Sequence, residues 1–198
     1  MEPRNATVKR ATKETRIELT FCPDGAGKSE ICTGIGFFDH LLQGFARHGL
    51  FDLRIQCGGD LEVDTHHTIE DVGIVLGTAM QEALGDKSGI QRYGSAILPM
   101  DDALVLCAVD LSGRPYLSFE AEYTVPKIGD MDTEMIRDFF YAVSYAAKMN
   151  LHIKQISGFN NHHIAECSFK AFAKAFRLAV LPEPKLEGAW TTKGTLGP

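Results

Sequence analysis

Two short runs in this chain hold residue types that bind metal ions. His66-His67-Thr68-Ile69-Glu70 and His162-His163-Ile164-Ala165-Glu166 share the pattern HHxxE and contain four of the seven histidines. On a helix, the first His and the Glu stand at i and i+4, and the second His and the Glu at i and i+3. Adjacent imidazoles then point about 100° apart. One motif can therefore serve two ions, and two motifs facing each other can build a pair of sites. A single HHxxE carries little weight, whereas two copies at matching places mark a ligand set. Imidazole and carboxylate without thiolate suit Mn²⁺ or Fe²⁺, while affinity alone favours Zn²⁺. Asp64 and Asp71 flank the first motif, and Asn160 and Asn161 precede the second. Each either orients a ring nitrogen or caps a helix.

The elements that must carry these motifs recur in the same order. In the first half, Thr15–Phe21 and 28–35 read as strands, Phe37–His48 as a helix and 50–57 as a strand closed by Gly58-Gly59-Asp60. A longer helix starts near Thr65, with Ile69, Val72, Leu76, Met80 and Ala83 on one stripe and Gly85 as its C-cap. In the second half, Ala103–Asp110 and 116–123 are strands joined by Leu111-Ser112-Gly113-Arg114. A helix follows from Asp132-Thr133-Glu134 to about Lys148, then a strand over 151–156. A last helix carries Ala165, Phe169, Phe172, Phe176 and Ala179 on one stripe. Each half reads β-β-α-β-α, so the fold class is α+β with sheets backed by helices. The period is too long for a solenoid and fits duplication of a small unit, residues 1–95 followed by 96–198, in one compact body.

Bulk properties set the outer limits. The net charge of −6, with 44% hydrophobic and 23% charged residues, describes a globular protein able to bury a core. There is no basic stripe for nucleic acid, no apolar run of membrane-spanning length and no apolar leader near the N-terminus, so the expected setting is cytoplasmic. Cysteines at 22, 32, 57, 107 and 167 are odd in number and form no CxxC pair. Buried free thiols are expected. In an acidic protein, an anionic ligand needs local cations. Arg114, in a glycine-containing turn, and Lys193, in a tail after Trp190, can supply them. A surface ion pair for Arg92 and Arg114 and a frayed end for the tail are the alternatives.

The segments "TGIGFFDHLL", "GDLEVDTHHTIEDVGIVLG", "ALGDKSGIQRYG", "PMDDAL", "DLSGRPYLSF", "LHIKQISGFNNHHIAECSFKAFAKAFR" and "TTKGTL" resemble the imidazoleglycerol-phosphate dehydratase family, in its order and over nearly the whole chain. The resemblance implies ribosomal protein S5 domain 2-like halves and two Mn²⁺ per active site. It also implies a large homo-oligomeric shell of about two dozen subunits, with sites assembled between subunits. It makes His40, His66, His67, Glu70, His162, His163 and Glu166 metal ligands. Glu14 matches a substrate-contacting glutamate, and His48 and Lys170 match positions lining the substrate. Arg92, Arg114, Thr191 and Lys193 match a phosphate grip, and the tail is expected to close over the ligand. Where the family usually has serines before the tail Lys-Gly, this chain has Thr191 and Thr192, which keep the hydroxyl. Where many members have a histidine before Phe139-Phe140, this chain has Asp138. Asp138 either binds metal, orients a ligating His or favours the helix start, with His152 as a nearby substitute ligand or a plain strand-face residue.

The implied reaction is loss of water from a small phosphate ester, imidazole glycerol phosphate, in histidine biosynthesis. The departing hydrogen is not beside a carbonyl, so the ring must supply the push that expels the hydroxyl. Glu14 is expected near the reacting carbons, and Glu166 or His48 to move the proton. Two other classes compete. A dinuclear metallohydrolase would release phosphate or amine. A metal-stapled assembly protein would tolerate loss of Arg92, Arg114 and Lys193.

Overall fold

The computed structural model describes residues 3–196; residues 1–2 and 197–198, the outer ends of the two expected repeats, lie outside the described residues. The first half contributes β1 (Ala6–Ala11), β2 (Thr15–Cys22), β3 (Ser29–Cys32), α1 (Gly36–Gly49), β4 (Asp52–Gly59) and α2 (His66–Leu84). The second contributes β5 (Tyr93–Met100), β6 (Ala103–Asp110), β7 (Tyr116–Glu120), a small hairpin β8 (Lys127–Ile128) and β9 (Met131–Asp132), α3 (Glu134–Ala146), β10 (Asn150–Ser157) and α4 (Asn161–Val180). The sheets have matching orders, β1-β2-β4-β3 and β5-β6-β10-β7. In both, the third strand of the half joins the sheet in parallel. The duplication is therefore real in topology.

Each main sheet carries one strand more than its sequence pattern gives, making β-β-β-α-β-α in both halves apart from the extra β8–β9 hairpin of the second. The added strand is the first of each sheet and lies on an edge. In β1, Ala-Thr-Val-Lys-Arg-Ala is too polar to read as an apolar strand, yet it pairs with β2 from Ala6 opposite Phe21 to Ala11 opposite Arg16. In β5, Gly94 and Pro99 look like breakers, but an edge strand tolerates both. The second sheet accordingly begins at Tyr93, just ahead of the expected boundary. The strand expected over 116–123 ends at Glu120, and that expected over 28–35 is only Ser29–Cys32. Leu50 is not in β4; it caps α1 in the left-handed region at φ 56°. Gly85 caps α2 at φ 54°, as expected.

The helices pair across the halves. α2 lies on the first sheet and packs against α3, while α4 lies on the second sheet and packs against α1. The α2–α3 contact is close because α2 offers two glycines one turn apart. A methyl at Gly73 would come within 2.8 Å of Ala142 Cβ, and one at Gly77 within 2.8 Å of Ala146 Cβ. A cluster of phenylalanines joins the halves. Phe21 of β2 meets Phe176 of α4 at 6.1 Å between ring centroids, and Phe38 of α1 meets Phe139 of α3 at 5.3 Å. Such aromatic pairs add roughly 0.5–1.5 kcal/mol each beyond their buried area. Cys107 and Cys167 are buried as expected, but Cys32 is exposed and Cys22 and Cys57 are only partly covered; all five are free.

Candidate metal centre and phosphate pocket

Both motifs open a helix, and polar caps set their first turns. Asp64 accepts the backbone N–H of His66 at 2.7 Å. Asn160 accepts those of His162 and His163 at 3.0 and 3.3 Å. These two residues act as caps and touch no ring. Asn161 instead ties down Thr124, and Asp71 holds Arg10 and Thr15. The neighbouring rings stand nearly perpendicular, 78° for His66–His67 and 82° for His162–His163, with centroids 6.1 Å apart in both pairs. The helical geometry thus sends each pair of imidazoles in two directions.

The first imidazole of the second motif meets a histidine from the other half. His40 on α1 and His162 on α4 both point Nε2 at Glu166 Oε2, at 3.2 and 3.1 Å. One ligand atom from each lies within 4.8 Å of the others, the spacing of a metal-binding triad. The other oxygen of Glu166 accepts from Lys170 Nζ at 2.7 Å. Burial opposes the charge on Glu166. The hydrogen bonds and charges of Lys170 and His40 overcome it and hold the carboxyl at about 2. His162, Glu166, Lys170 and Lys174 recur every four residues, so one face of α4 carries the whole stripe. His48 lies two turns beyond His40 on α1. Burial, then the charges of Lys170 and Lys174, lower its pKa and favour the neutral ring.

The second imidazole of each motif is held by a carboxylate. His67 Nδ1 lies 2.9 Å from Asp60 Oδ2, and His163 Nδ1 2.6 Å from Asp102 Oδ1. Their Nε2 atoms face outward, where Glu14 lies 3.8 Å from His67 and Asp101 3.6 Å from His163. The Asp60 contact raises the pKa of His67. Asp60 and Asp102 were not among the candidates read from sequence. The faint signals are Asp60 directly after the Gly58-Gly59 strand end and the Asp101-Asp102 pair between two strands. His66 and Glu70 form a looser pair at 3.6 Å, both about half exposed. Asp138 lies on α3, the helix packed on α2, and its nearest charged partner is Arg137 at 3.5 Å. It joins no three-donor group among the described residues. His152 lies on the open face of β10 with its ring against Tyr116, away from both motifs.

The donor chemistry fits a divalent metal. One buried carboxylate is shared by two imidazoles, and two further imidazoles have Nδ1 engaged by aspartate, which leaves Nε2 for an ion. Four of the seven expected ligands are loose or outward-facing, so one chain alone completes a single three-donor cluster among the described residues.

The phosphate candidates gather elsewhere. Arg92, Arg114, Trp190, Thr191, Thr192 and Lys193 line a cavity of about 350 Å³. The tail is ordered over it rather than frayed. Ala189 bridges to Ser88, and Gly188 accepts from Gly89 N–H at 2.8 Å. Arg92, left-handed at φ 63°, is committed to its own chain: Nε and Nη2 donate to Asp110 at 2.7 and 3.1 Å, and Nη1 to the Trp190 carbonyl at 2.6 Å. It therefore holds the tail in place. The side chains of Arg114 and Lys193 have no ion pair among the described residues, and these are the cations open to an anion.

This cavity and the metal triad occupy opposite ends of the second sheet. Tyr93 and Asp110 are paired at the cavity end, and the Asp101-Asp102 turn closes the other end of the same hairpin. Seven steps of strand at about 3.3 Å give roughly 23 Å. The helix supplies a second ruler. Arg92 N–H donates to Ala179 O near the end of α4, whereas His162 and Glu166 lie in its first turns. At 1.5 Å per residue, the separation is about 20–25 Å.

Comparisons with known proteins agree with this architecture. The family model for imidazoleglycerol-phosphate dehydratase matches residues 33–176. The imidazoleglycerol-phosphate dehydratase of Lachnoclostridium phytofermentans is 60% identical over 193 residues, covering 98% of both chains. That of Acetivibrio thermocellus is 55% identical, covering 98% of this chain and 99% of the relative. Among solved structures, the Staphylococcus aureus enzyme superposes with a TM-score of 0.82 at 39% identity, covering 90% of this chain and 99% of that one. The Pyrococcus furiosus enzyme gives 0.83 at 38% identity, covering 96% and 100%. Fold and relatives together define a hydro-lyase built on a duplicated α+β unit. The chain belongs to the imidazoleglycerol-phosphate dehydratase family, whose reaction serves histidine biosynthesis. Among the described residues, no helix is long and apolar enough to cross a membrane.

Proposed function

We propose that this protein dehydrates D-erythro-imidazole glycerol phosphate to imidazole acetol phosphate in the cytoplasm, with two Mn²⁺ per active site, at sites assembled between subunits of a large homo-oligomer. The observation that carries the reading is the triad His40–His162–Glu166, whose donor atoms lie within 4.8 Å of one another. His66, His67, Glu70 and His163 would complete the ligand set. A divalent ion held by these residues would supply Lewis acidity, favouring a deprotonated imidazole ring and offsetting the charge of the departing hydroxyl.

The chain's own residues account for the rest. Arg114 and Lys193 bind the phosphate, the hydroxyls of Thr191 and Thr192 add contacts, and Arg92 keeps the tail wall in place. Glu14, close to His67 Nε2, faces the glycerol carbons. Both oxygens of Glu166 are engaged, one by Lys170 and one by the two imidazoles, so proton transfer at the carbon falls to His48, which burial and nearby lysines keep neutral. The substrate spans under about 10 Å, a handful of bonds of roughly 1.5 Å. It cannot reach from the triad to the cavity of one chain, which supports a grip from one subunit and metal donors from another. Incubation with imidazole glycerol phosphate and Mn²⁺ should yield a ketone that retains its phosphate. Release of inorganic phosphate without ketone would point instead to hydrolysis.

A further inference from the structure

The second histidine of each motif has a fixed partner that the sequence patterns do not single out. We propose that Asp60 and Asp102 are positioning residues that decide which ring nitrogen of His67 and His163 is presented to a metal; this rests on the metal reading of those histidines. An aspartate that accepts Nδ1–H holds the proton on that nitrogen, so the lone pair sits on Nε2. In both halves Nε2 is the outward atom, beside Glu14 in one case and Asp101 in the other.

The repeats reach this result from different places. Asp60 comes from the loop that leaves β4, and Asp102 from the turn between β5 and β6. The two are not equivalent by duplication, yet each ends at the same atom of an equivalent histidine. Shared ancestry of the repeats therefore does not explain the pair, and the imidazole they orient does. Asp102 is itself anchored. Its second oxygen accepts the backbone N–H groups of Phe159 and Asn160 at 2.6 and 2.9 Å. One carboxylate thus ties the β5–β6 turn to the entry of α4 and to the ring of His163. Asp60 is less constrained: its Oδ1 is buried without a hydrogen-bond partner among the described residues. Asp102 is accordingly the stiffer of the two orienting groups.

The test uses D60N and D102N in the full-length assembled protein, with D64N as the control. At 102, asparagine keeps its oxygen on the Phe159 and Asn160 N–H groups and turns its own N–H toward Nδ1, favouring the other tautomer; at 60, a neutral amide oxygen replaces the charged acceptor that holds the proton on Nδ1. Asp64 stands near the same motif but caps only the backbone of α2. Mn²⁺ affinity is read from the electron paramagnetic resonance signal of the free ion. D60N and D102N should each bind Mn²⁺ roughly 10–100-fold more weakly, with D102N losing more, while D64N matches the wild type. ¹⁵N chemical shifts of the histidine rings in metal-free protein supply an independent readout. His67 and His163 should carry the proton on Nδ1 in the wild type and lose that preference in the matching variant. Wild-type Mn²⁺ affinity in both variants, or Nε2-protonated rings in the wild type, overturns the proposal. A wild-type chain that binds no Mn²⁺ overturns the metal reading beneath it instead. If D102N does not fold, D60N decides.

Discussion

Two variants that are each inactive should rescue one another in mixed oligomers. One carries Glu166→Gln, which removes the carboxylate shared by His40 and His162. The other carries Arg114→Ala with Lys193→Ala, which empties the cavity of its unpaired cations. Two charge-assisted contacts at about 1.5–3 kcal/mol each lower kcat/KM by roughly 10²–10⁴-fold. Along α4 the two defects lie about 20–25 Å apart in one chain, beyond the reach of the substrate. If the grip comes from one subunit and the metal donors from a second, an equal random mixture leaves about one site in four intact, because each contributor is unmodified half the time. If further donors come from a third chain, the fraction stays about one in four, because neither variant alters His66, His67 or Glu70. Co-expression with two affinity tags and purification on both gives the mixed particle, and ketone formation gives its kcat/KM. Expected activity is therefore about 25% of wild type, against roughly 1% or less for either parent. Activity equal to the average of the parents at every mixing ratio would refute the shared site, since each chain would then complete its own.

Arg114→Ala alone should raise KM and leave Mn²⁺ content unchanged, measured by steady-state kinetics beside metal analysis; loss of metal would make its role structural. Asp138→Ala should lower Mn²⁺ bound per chain while Asp138→His retains it, because α3 meets α2 as α1 meets α4; full metal in the Ala variant would leave only the helix-start role. Chelation with EDTA should give a smaller, inactive particle by light scattering, and Mn²⁺ should restore both size and activity. Gly77→Val places a side chain against Val143 O, Ala146 and Ala147 of α3 and should cost about 1–3 kcal/mol in denaturant unfolding; unchanged stability would mean that α2 and α3 are free to move apart.

Much of the architecture was legible because apolar periodicity is strong wherever an element faces a buried core. The stripe Ile69–Val72–Leu76–Met80 is wholly buried, as are Ala165, Phe169, Phe172, Phe176 and Ala179. The edge strands β1 and β5 escaped because one side of an edge meets water: Lys9, Ser95 and Ile97 are exposed and blur the alternation. The histidine motifs were legible because helical spacing ties residues near in sequence to residues near in space. The triad was less so, since His40 reaches His162 only through the packing of α1 on α4, a contact between residues far apart in the chain. Family resemblance named His40 as a ligand but did not group it with His162 and Glu166. Asp60 and Asp102 lay beyond both routes. A carboxylate in a loop has many ordinary uses, and nothing local reveals which ring it meets. Arg92 carried a sound chemical label, but its partner Asp110 on the neighbouring strand takes two of its donors, a fact written in sheet register alone.

The exchange of helix partners between the halves bears on the origin of the fold. A single repeat would expose the helix faces that the other repeat now covers, including the Gly73–Gly77 surface of α2. Two copies of that repeat, related by a twofold axis, would cover those faces for one another, each lending its first helix to the second helix of its mate. The unit that was duplicated is thus best understood as a subunit of a symmetric dimer. Fusion turned an association between molecules into a connection within one, and freed the halves to diverge: an aspartate after β4 in one, an aspartate before β6 in the other, His40 in one and Asp138 in the other.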